Sequence, residues 1–439
     1  MRVMYLNTND NWGGAARAAV RLLSGVREAG VEAQMFVQCK LSDDTAVVGP
    51  DGHFGNKLAK IRTILDCAPV SMYPKRNRFI FSPAFLPDKL QRNVNALNPD
   101  IIHLHWLGEG FLRIESLARF KRPIVWTLHD SWAFTGGCHL PFDCLNYREQ
   151  CGCCPVLGSN RNNDLSRWVW RRKERTFSKL DLTVVVPSRW LARCAESSAL
   201  LHGFPIEVIP NGLDLERFKP LDKLLARKTF GLPQDKKIIL FGAISSTSDK
   251  NKGFHLLMPA LQRLADKGWK EKVEILVFGS SKPADAPDFG LRTRYFGQLH
   301  DDASIALLYS AADILVAPSI QENLSYTVME AMACGTPCVA FDIGGMPDLI
   351  EHKLNGYLSQ PFEAEDLAEG IDWVLADGER LRILSSRCRD KVAEFSLDRV
   401  AARYIELYKK LQRLKSIYII MICTYFLTTT STINSGMLN

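Results

Sequence analysis

The sequence of 439 residues contains little that would place the chain in a membrane or export it. The apolar run Ile417–Leu427 is well short of the roughly 20 residues that a membrane-spanning helix needs. At the start, Arg2–Leu6 passes directly into the polar Asn7–Asp10, without the apolar core and cleavage site of a signal peptide. We therefore expect a cytoplasmic protein and place any membrane contact at the inner face.

Motifs of nucleic-acid-binding and nicotinamide-binding proteins are also missing. The net charge of +7 is mildly basic and suits anionic partners such as phosphates or a membrane surface. However, no Lys/Arg run has the interleaved aromatics of an RNA-binding module, and there is no zinc-finger or helix-turn-helix signature. The sequence also lacks Gly-x-Gly-x-x-Gly after its first strand, which argues against a dehydrogenase. We expect no nucleic-acid partner.

The pattern that is present is an alternation of short apolar, β-branched runs with longer helical segments. Such runs are typical of strands buried on both faces of parallel sheets built from βαβ units. The runs are Arg2–Leu6, Ala33–Val37, Ile101–His105, Ile124–Leu128, Thr183–Pro187, Lys237–Phe241, Val273–Phe278, Asp313–Ala317 and Pro337–Phe341. They form two series, which predicts an α/β fold of two doubly wound Rossmann-like domains facing across a cleft.

Length supports the same division. Single cores stop growing near ~250–300 residues, so a chain of this size is expected to form two domains. The pattern breaks at Ile209–Gly212, where a Pro and an Asn-Gly turn interrupt it. We predict a first domain over residues 1–210 with a cysteine-rich insertion at 136–156, and a second over 211–415. The tail 416–439 receives no role. Ligands of open parallel sheets bind beyond the carboxyl ends of the strands, so the cleft is the expected active site.

The most informative stretch is Pro318–Pro337, where a strand, a loop and a helix follow one another. The loop carries Glu322, and Glu330 lies in the helix, which closes at Gly335. The helix begins around Asn323–Tyr326. Its first N–H groups and the positive end of its dipole offer a site for a diphosphate. The alternative is a loop-helix junction that carries two glutamates by chance.

At these residues the chain resembles the retaining glycosyltransferases of family 4, which have two Rossmann domains in the GT-B arrangement. The hallmark of that family is two glutamates with seven residues between them, in the Pro-Ser and Ala-x-x-x-Gly-x-Pro context seen here. The resemblance implies that Glu322 contacts the donor sugar and Glu330 the ribose of the nucleotide. The family usually has a Gly-Phe-Gly-like segment where this chain has Asn323, Leu324 and Ser325, which we expect to contact the phosphates.

Two further elements belong to the first domain. Gly13 and Gly14 follow the first strand and let the backbone approach a ligand. The resemblance implies that they bind near the donor phosphates and the acceptor, and a simple tight turn is the alternative. His129 follows a buried strand and is paired in sequence with Asp130. The resemblance implies that His129 contacts the transferred sugar and helps to stabilise charge in the transition state. We assign His103 and His105 to packing or to the cleft wall.

The cations expected at the leaving diphosphate lie in Asp249–Gly253. Negative charge develops on the leaving group as the glycosidic bond breaks, so nearby cations lower the barrier. Lys252 before Gly253 matches the family. Where the family has an Arg just after the strand, this chain has Ala243 or Ile244, and Lys250 is the expected substitute. The resemblance implies front-face attack assisted by the leaving phosphate. We expect no cofactor for catalysis beyond the nucleotide diphosphate sugar, since no Asp-x-Asp metal motif is evident.

Five of the twelve cysteines lie between Cys138 and Cys154. Cys138, Cys144, Cys151 and Cys154 are candidate ligands of a structural zinc ion, although their spacing is not that of a standard knuckle. Free thiols are the alternative, because disulfides do not persist in a reducing cytoplasm. In either case we expect the cluster to brace an insertion beside the acceptor side of the cleft.

Two basic stretches are accompanied by aromatic residues. The first is Lys75–Arg78, which lies among Tyr73, Phe79 and Phe81, and the second is Arg167–Lys173. Basic residues with interfacial aromatics hold proteins on anionic membranes, which would suit a lipid-linked acceptor. A solvated helix face is the alternative.

Together these features predict a nucleotide-sugar-dependent, retaining hexosyl-type transferase. It would act on a glycan or glycolipid acceptor in surface polysaccharide or lipopolysaccharide biosynthesis. The same fold also serves sugar-nucleotide epimerases and glycogen-type phosphorylases. The sequence has no distinct lysine motif for the pyridoxal phosphate of a phosphorylase. A non-catalytic nucleotide-sugar or glycan-binding protein is the third alternative, motivated by the missing Arg.

Overall fold

The computed structural model describes residues 1–50, 52–77, 79–242, 249–282, 288–299 and 301–414. The position of the missing Arg, at Ala243 or Ile244, lies outside the described residues, as do Arg78 and the tail with its apolar run. Within the described residues the chain forms two parallel sheets with helices on their faces.

The first sheet has the order β3-β2-β1-β4-β5-β6-β7 with all pairs parallel. Its order reverses between β1 and β4, which creates a crevice at the carboxyl ends of these two strands. The strands are β1 (Arg2–Asn9), β2 (Glu32–Cys39), β3 (Val47–Val48), β4 (Ile101–Leu104), β5 (Ile124–Thr127), β6 (Leu182–Val186) and β7 (Ile206–Val208).

The second sheet has the order β10-β9-β8-β11-β12-β13, again with all pairs parallel, and its order reverses between β8 and β11. The residues after β8 and β11 therefore meet at one crevice. The strands are β8 (Lys237–Gly242), β9 (Val273–Phe278), β10 (Arg292–Tyr295), β11 (Ile314–Ala317), β12 (Cys338–Phe341) and β13 (Gly356–Ser359).

Helices cover both faces of each sheet. In chain order they are α1 (Gly14–Glu28), α2 (Gly52–Cys67), α3 (Leu90–Leu97), α4 (Leu165–Phe177), α5 (Arg189–Glu196), α6 (Lys223–Thr229), α7 (Phe254–Leu264), α8 (Asp302–Ala311), α9 (Tyr326–Ala333), α10 (Met346–Leu349), α11 (Ala364–Leu375), α12 (Gly378–Val392) and α13 (397–414). Among the described residues, no helix combines the length and apolar character needed to cross a membrane.

Strand alternation divides the apolar residues between two cores per sheet. Along β1, Val3 and Tyr5 enter one core while Met4 and Leu6 enter the other. Along β8, Ile238 and Leu240 face one core and Ile239 and Phe241 the opposite one. Because both faces are buried, these strands are continuously apolar. This confirms the predicted α/β fold with two parallel sheets.

The last helix departs from the predicted division of the chain. We placed residues up to 415 in the second domain, but α13 packs on the first sheet, where Tyr404, Leu407 and Tyr408 share a core with Val3 and Tyr5. The chain crosses over where Leu213 pairs its backbone with Phe395 and Leu397. The reason for the return is that the apolar side of α13 covers a face of the first sheet that would otherwise be exposed.

Candidate active site

The loop after β11 places Glu322 beside Lys252. The Lys252 Nζ lies 2.9 Å from Glu322 Oε2, and Ser319 Oγ donates to the same oxygen at 3.5 Å. Burial alone would lower the pKa of Lys252, but the adjacent Glu322 carboxylate outweighs it and raises that pKa. Both side chains keep some exposure, 24% for Lys252 and 19% for Glu322. A cation and a carboxylate thus stand together at the reversal point of the second sheet, open to a ligand.

The turn that carries Lys252 is fixed to the Glu322 loop by Asn251. Its amide donates to Gln321 O at 2.9 Å and accepts from Gln321 N at 3.0 Å. The next residue, Gly253, has φ +70°, and a Cβ there would lie 1.7 Å from Pro318 O. Only glycine therefore fits where the two loops touch. Lys250, predicted to replace the missing arginine, is exposed on the same turn.

A second pair of glycines supports the Glu322 loop from the other side. A Cβ at Gly344 would lie 1.9 Å from Glu322 O, and one at Gly345 would lie 1.6 Å from Asn323 O. Gly345 N also donates to Glu322 O at 3.1 Å. The segment after β12, which the sequence suggested as loop geometry, thus holds the backbone of the two site residues in place.

The three residues after Glu322 have different environments. Asn323 Nδ2 donates to His129 O at 3.1 Å, and its Oδ1 accepts from Ser188 Oγ at 2.7 Å, so its side chain crosses to the first domain. Leu324 is buried. The Ser325 hydroxyl caps α9 by accepting from Val328 N. The start of α9 therefore faces the cleft beside His129.

Glu330 lies in α9 and is almost fully buried. Its Oε1 accepts from Arg21 Nη2 at 2.8 Å, and its Oε2 accepts from the Tyr309 hydroxyl at 3.2 Å. Arg21 belongs to α1 of the first domain, so this ion pair also crosses the cleft. The predicted ribose contact is therefore in contact with a cation that sequence reasoning missed.

Gly13 and Gly14 form the start of α1 at the carboxyl end of β1. Gly13 has φ +89°, and among the described atoms a Cβ at either glycine would meet nothing within 4 Å. The positive φ favours glycine at position 13, and the open space leaves room for a ligand against the backbone. The side chain of the preceding Trp12 is also well exposed.

His129 follows β5, as predicted, but its partner is not Asp130. Its Nε2 lies 2.9 Å from His105 Nδ1, and the two rings stack with centroids 5.2 Å apart. Burial lowers the pKa of His129 to about 4, so the ring is neutral near pH 7. A neutral ring can donate a hydrogen bond to a sugar hydroxyl, but it brings no positive charge. His105, assigned to packing or the cleft wall, instead orients the candidate site histidine.

The Asp130 carboxylate accepts a hydrogen bond from Trp132 N at 2.8 Å. Burial raises the pKa of Asp130 to about 7. The buried Lys173 lies over the Trp132 ring at 3.8 Å and donates to Thr135 O at 3.0 Å. Burial lowers the pKa of Lys173 to about 7. These two groups are structural supports under the loop that follows His129.

The candidate zinc ligands are gathered in the insertion, with Cys138, Cys151 and Cys154 buried and Cys144 partly exposed. A hydrogen bond joins Cys138 to Cys154, which raises the pKa of Cys138 and lowers that of Cys154. Across the described part of the chain, no three His, Cys, Asp or Glu side chains are placed to hold a metal ion. These four cysteines form no disulfide, and the zinc site stays a prediction for metal analysis to test.

The insertion reaches the second domain. The backbone N–H of Phe142 donates to Gln321 Oε1 at 2.9 Å, next to Glu322. The insertion therefore contacts the loop that carries the candidate sugar-binding residue.

The basic stretch Arg167–Lys173 is mostly buried, unlike a membrane-binding patch. It forms part of α4, where Arg172 pairs with Glu115 at 2.6 Å and Arg167 and Lys173 are also buried. Only Trp168 and Arg171 are exposed. The reason is that the helix packs its basic face on carbonyl and carboxylate acceptors of the first domain.

Comparison with known families identifies the family of the chain. The family model described as Glycosyltransferase Family 4 matches residues 12–217, and that described as Glycosyl transferases group 1 matches residues 222–391. The two matches adjoin and cover most of the chain. The protein belongs to the group 1 glycosyltransferases of the family 4 type.

Individual proteins show the same likeness. An uncharacterized glycosyltransferase of Methanocaldococcus jannaschii is 29% identical over 217 residues, 46% of this chain and 54% of the relative. This chain spans about half the length of the curated relatives it matches. Sucrose-phosphate synthase from Thermosynechococcus elongatus has the same fold, with a TM-score of 0.65, 20% identity and coverage of 93% and 98%. Anabaena Alr3699/HepE in complex with UDP also has this fold, with a TM-score of 0.63 and 18% identity. The match covers 93% of this chain and 100% of the Anabaena chain.

Proposed function

We propose that this protein is a retaining glycosyltransferase that moves a hexosyl group from a nucleotide diphosphate sugar to a glycan or glycolipid acceptor. The observation that carries the proposal is the meeting of Glu322, Lys252 and the His129 loop at one crevice, joined by Asn323. A pathway in surface polysaccharide or lipopolysaccharide biosynthesis belongs to the same proposal. That the Anabaena protein of this fold was solved with UDP supports a nucleotide-linked donor.

Each side chain has a role that follows from its place. The N–H groups at the start of α9 and the Lys252 ammonium bind the diphosphate, whose charge grows as the anomeric C–O bond breaks. The electron pair of that bond goes to the phosphate oxygen. Glu322 accepts hydrogen bonds from hydroxyls of the sugar. The neutral His129 ring donates to another hydroxyl from the opposite domain.

Retention follows from attack on the face that the leaving group departs from. The acceptor hydroxyl bonds to the anomeric carbon, and its proton passes to the leaving phosphate. A separate carboxylate nucleophile is not required in this scheme. Gly13 and Gly14 leave space for the diphosphate and the acceptor against the start of α1.

A panel of UDP-, GDP- and ADP-sugars tests the proposal, with nucleotide release measured with and without extracted glycolipid. We expect acceptor-stimulated release from one donor, which Glu322→Gln abolishes and Glu271→Gln leaves intact. Glu271 is a suitable control because its side chain is 87% exposed and it precedes β9, at the end of the sheet opposite to the site. Tight nucleotide binding without release under any acceptor condition would instead establish a non-catalytic binding protein, and release of an altered free sugar without acceptor an epimerase.

We also propose that α2 contacts an anionic membrane when the acceptor is lipid-linked. Ile61, Ile64 and Leu65 on this helix are each at least half exposed. Lys57 and Lys60 lie on the same side at about 100° per residue, so cations flank the apolar surface. Lys75 and Arg76, from the first of the two basic stretches in the sequence, are also exposed and follow α2 along the chain.

Flotation with lipid vesicles tests the membrane contact. We expect binding to vesicles rich in anionic lipid, weaker binding to neutral ones, and loss of binding in Ile61→Glu/Ile64→Glu. Leu224→Glu is the control, since this leucine is 66% exposed on α6 of the other domain. Equal flotation of the two variants would contradict a role for α2.

A further inference from the structure

Arg21 reaches across the cleft to the second glutamate of the site. It lies on α1 of the first domain, and its Nη2 is 2.8 Å from Glu330 Oε1. Its guanidinium also lies over the Tyr326 ring, 4.6 Å from the centroid, and 5.2 Å from that of Phe218. The side chains of Arg21 and Glu330 are only 13% and 3% exposed. The pair is therefore a buried contact between the domains.

The pair has unused hydrogen-bonding capacity. Arg21 Nη1 is buried and has no hydrogen-bond partner among the described residues. Leaving a buried donor of this kind unpaired costs stability, which argues that a partner is present in the working state. On the other side, each carboxylate oxygen of Glu330 has two lone pairs, and protein donors take one on each. The Arg21 Nη1 group and one lone pair on each Glu330 carboxylate oxygen are therefore free to bind a ligand.

A vicinal diol fits such a pair, because each hydroxyl donates one hydrogen bond and accepts others. One hydroxyl can accept from Arg21 Nη1 while it or its neighbour donates to Glu330. The position along α9 also fits. Glu330 is five residues beyond the Ser325 cap, about 7.5 Å from it along the helix axis, and the N–H groups proposed to hold the diphosphate lie between the two.

We propose that Arg21 and Glu330 together bind the cis-diol of the donor ribose, so that the nucleotide is held by both domains at once. This inference rests on the proposed function, which supplies the nucleotide. It assigns to α1 a binding residue that the two-glutamate motif does not contain. It also explains why a buried arginine keeps a nitrogen free beside an already paired carboxylate.

The test compares binding of UDP, GDP and ADP with that of their 2′-deoxy and 3′-deoxy forms by calorimetry. For the nucleotide that binds, we expect the wild-type protein to prefer the ribose form by about 10-fold or more. Arg21→Met should weaken binding of the ribose form by about 10-fold or more and abolish the preference. Arg217→Met is the matched control. Arg217 pairs with Asp302 at 3.6 Å, and Arg21 lies 3.8 Å from the same residue, but the Arg217 side chain is 68% exposed. The preference for ribose should therefore persist in this variant.

Arg21→Lys guards against misfolding, because it keeps a cation for Glu330 while losing the second guanidinium nitrogen. We expect it to fold and to retain only part of the preference. If Arg21→Met or Arg21→Lys unfolds more easily yet keeps the full preference for ribose, the pair only joins the domains and the inference is wrong. If the wild-type protein binds none of the three nucleotides, the proposed function itself fails.

Discussion

Replacing Gly253 by alanine should disrupt the turn that carries Lys252. Gly253 has φ +70°, which costs an L residue roughly 1–2 kcal/mol. The new Cβ would also lie 1.7 Å from Pro318 O, whereas ordinary contacts are 3.4–4 Å. The two backbone segments would have to separate by well over 1 Å. This movement would break the Asn251–Gln321 hydrogen bonds, each worth about 1 kcal/mol.

The expected loss of unfolding free energy is therefore about 3–4 kcal/mol for Gly253→Ala. Gly231→Ala is the matched control, since Gly231 has φ +62° but open space around its Cβ, and should cost only about 1–2 kcal/mol. Urea unfolding gives both values, and sugar transfer by the folded variants should fall only for Gly253→Ala. Equal stabilities with unchanged transfer would refute the argument that the two loops touch at this glycine.

Four further predictions concern charge and buried hydrogen bonds. Lys252→Met should lower kcat by about 10²–10³-fold, measured as donor turnover, if its ammonium stabilises the leaving group. The burial of His129 should contribute a fall of up to about 3 kcal/mol in unfolding free energy as pH drops from 6.5 towards 4, because the unfolded chain then binds a proton that the buried ring refuses. Asp130 has the opposite effect on unfolding free energy, since its raised pKa favours the folded state at low pH. Asp130→Asn should therefore make the unfolding free energy, measured with urea, fall more steeply as the pH drops. Tyr408→Phe should cost about 1–3 kcal/mol in the same assay by removing a buried hydroxyl bonded to Tyr5 and His103, and no loss would contradict that network.

The central strands could be predicted from sequence because their burial is complete. Every predicted apolar run overlaps a strand of the two sheets. The strands that the sequence did not reveal are β3, β7, β10 and β13, each of four residues or fewer and each at or beside a sheet edge. Arg292–Tyr295 shows why: it pairs on one side only and is partly exposed, so it has no need of an apolar run.

In the candidate site, local order could be predicted and distant contacts could not. Glu322 and Glu330 lie eight positions apart on one loop and helix, so their relation is visible in the sequence. Arg21 and Glu330 are separated by 309 positions and meet only because α1 packs against the second domain. Likewise His105 and His129 end adjacent strands, a pairing that follows from the strand order rather than from either motif.

Some of the contacts that join the two domains are made by the groups proposed to bind the donor. Arg21 pairs with Glu330, and Asn323 bonds to the backbone of His129. A donor that enters the cleft must add to these contacts or replace them, so its binding energy depends on how the domains are placed. By reciprocity, a bound donor must change the free-energy difference between domain placements by the same amount. A bound donor would thereby set the position of His129 and the acceptor side before any acceptor arrives.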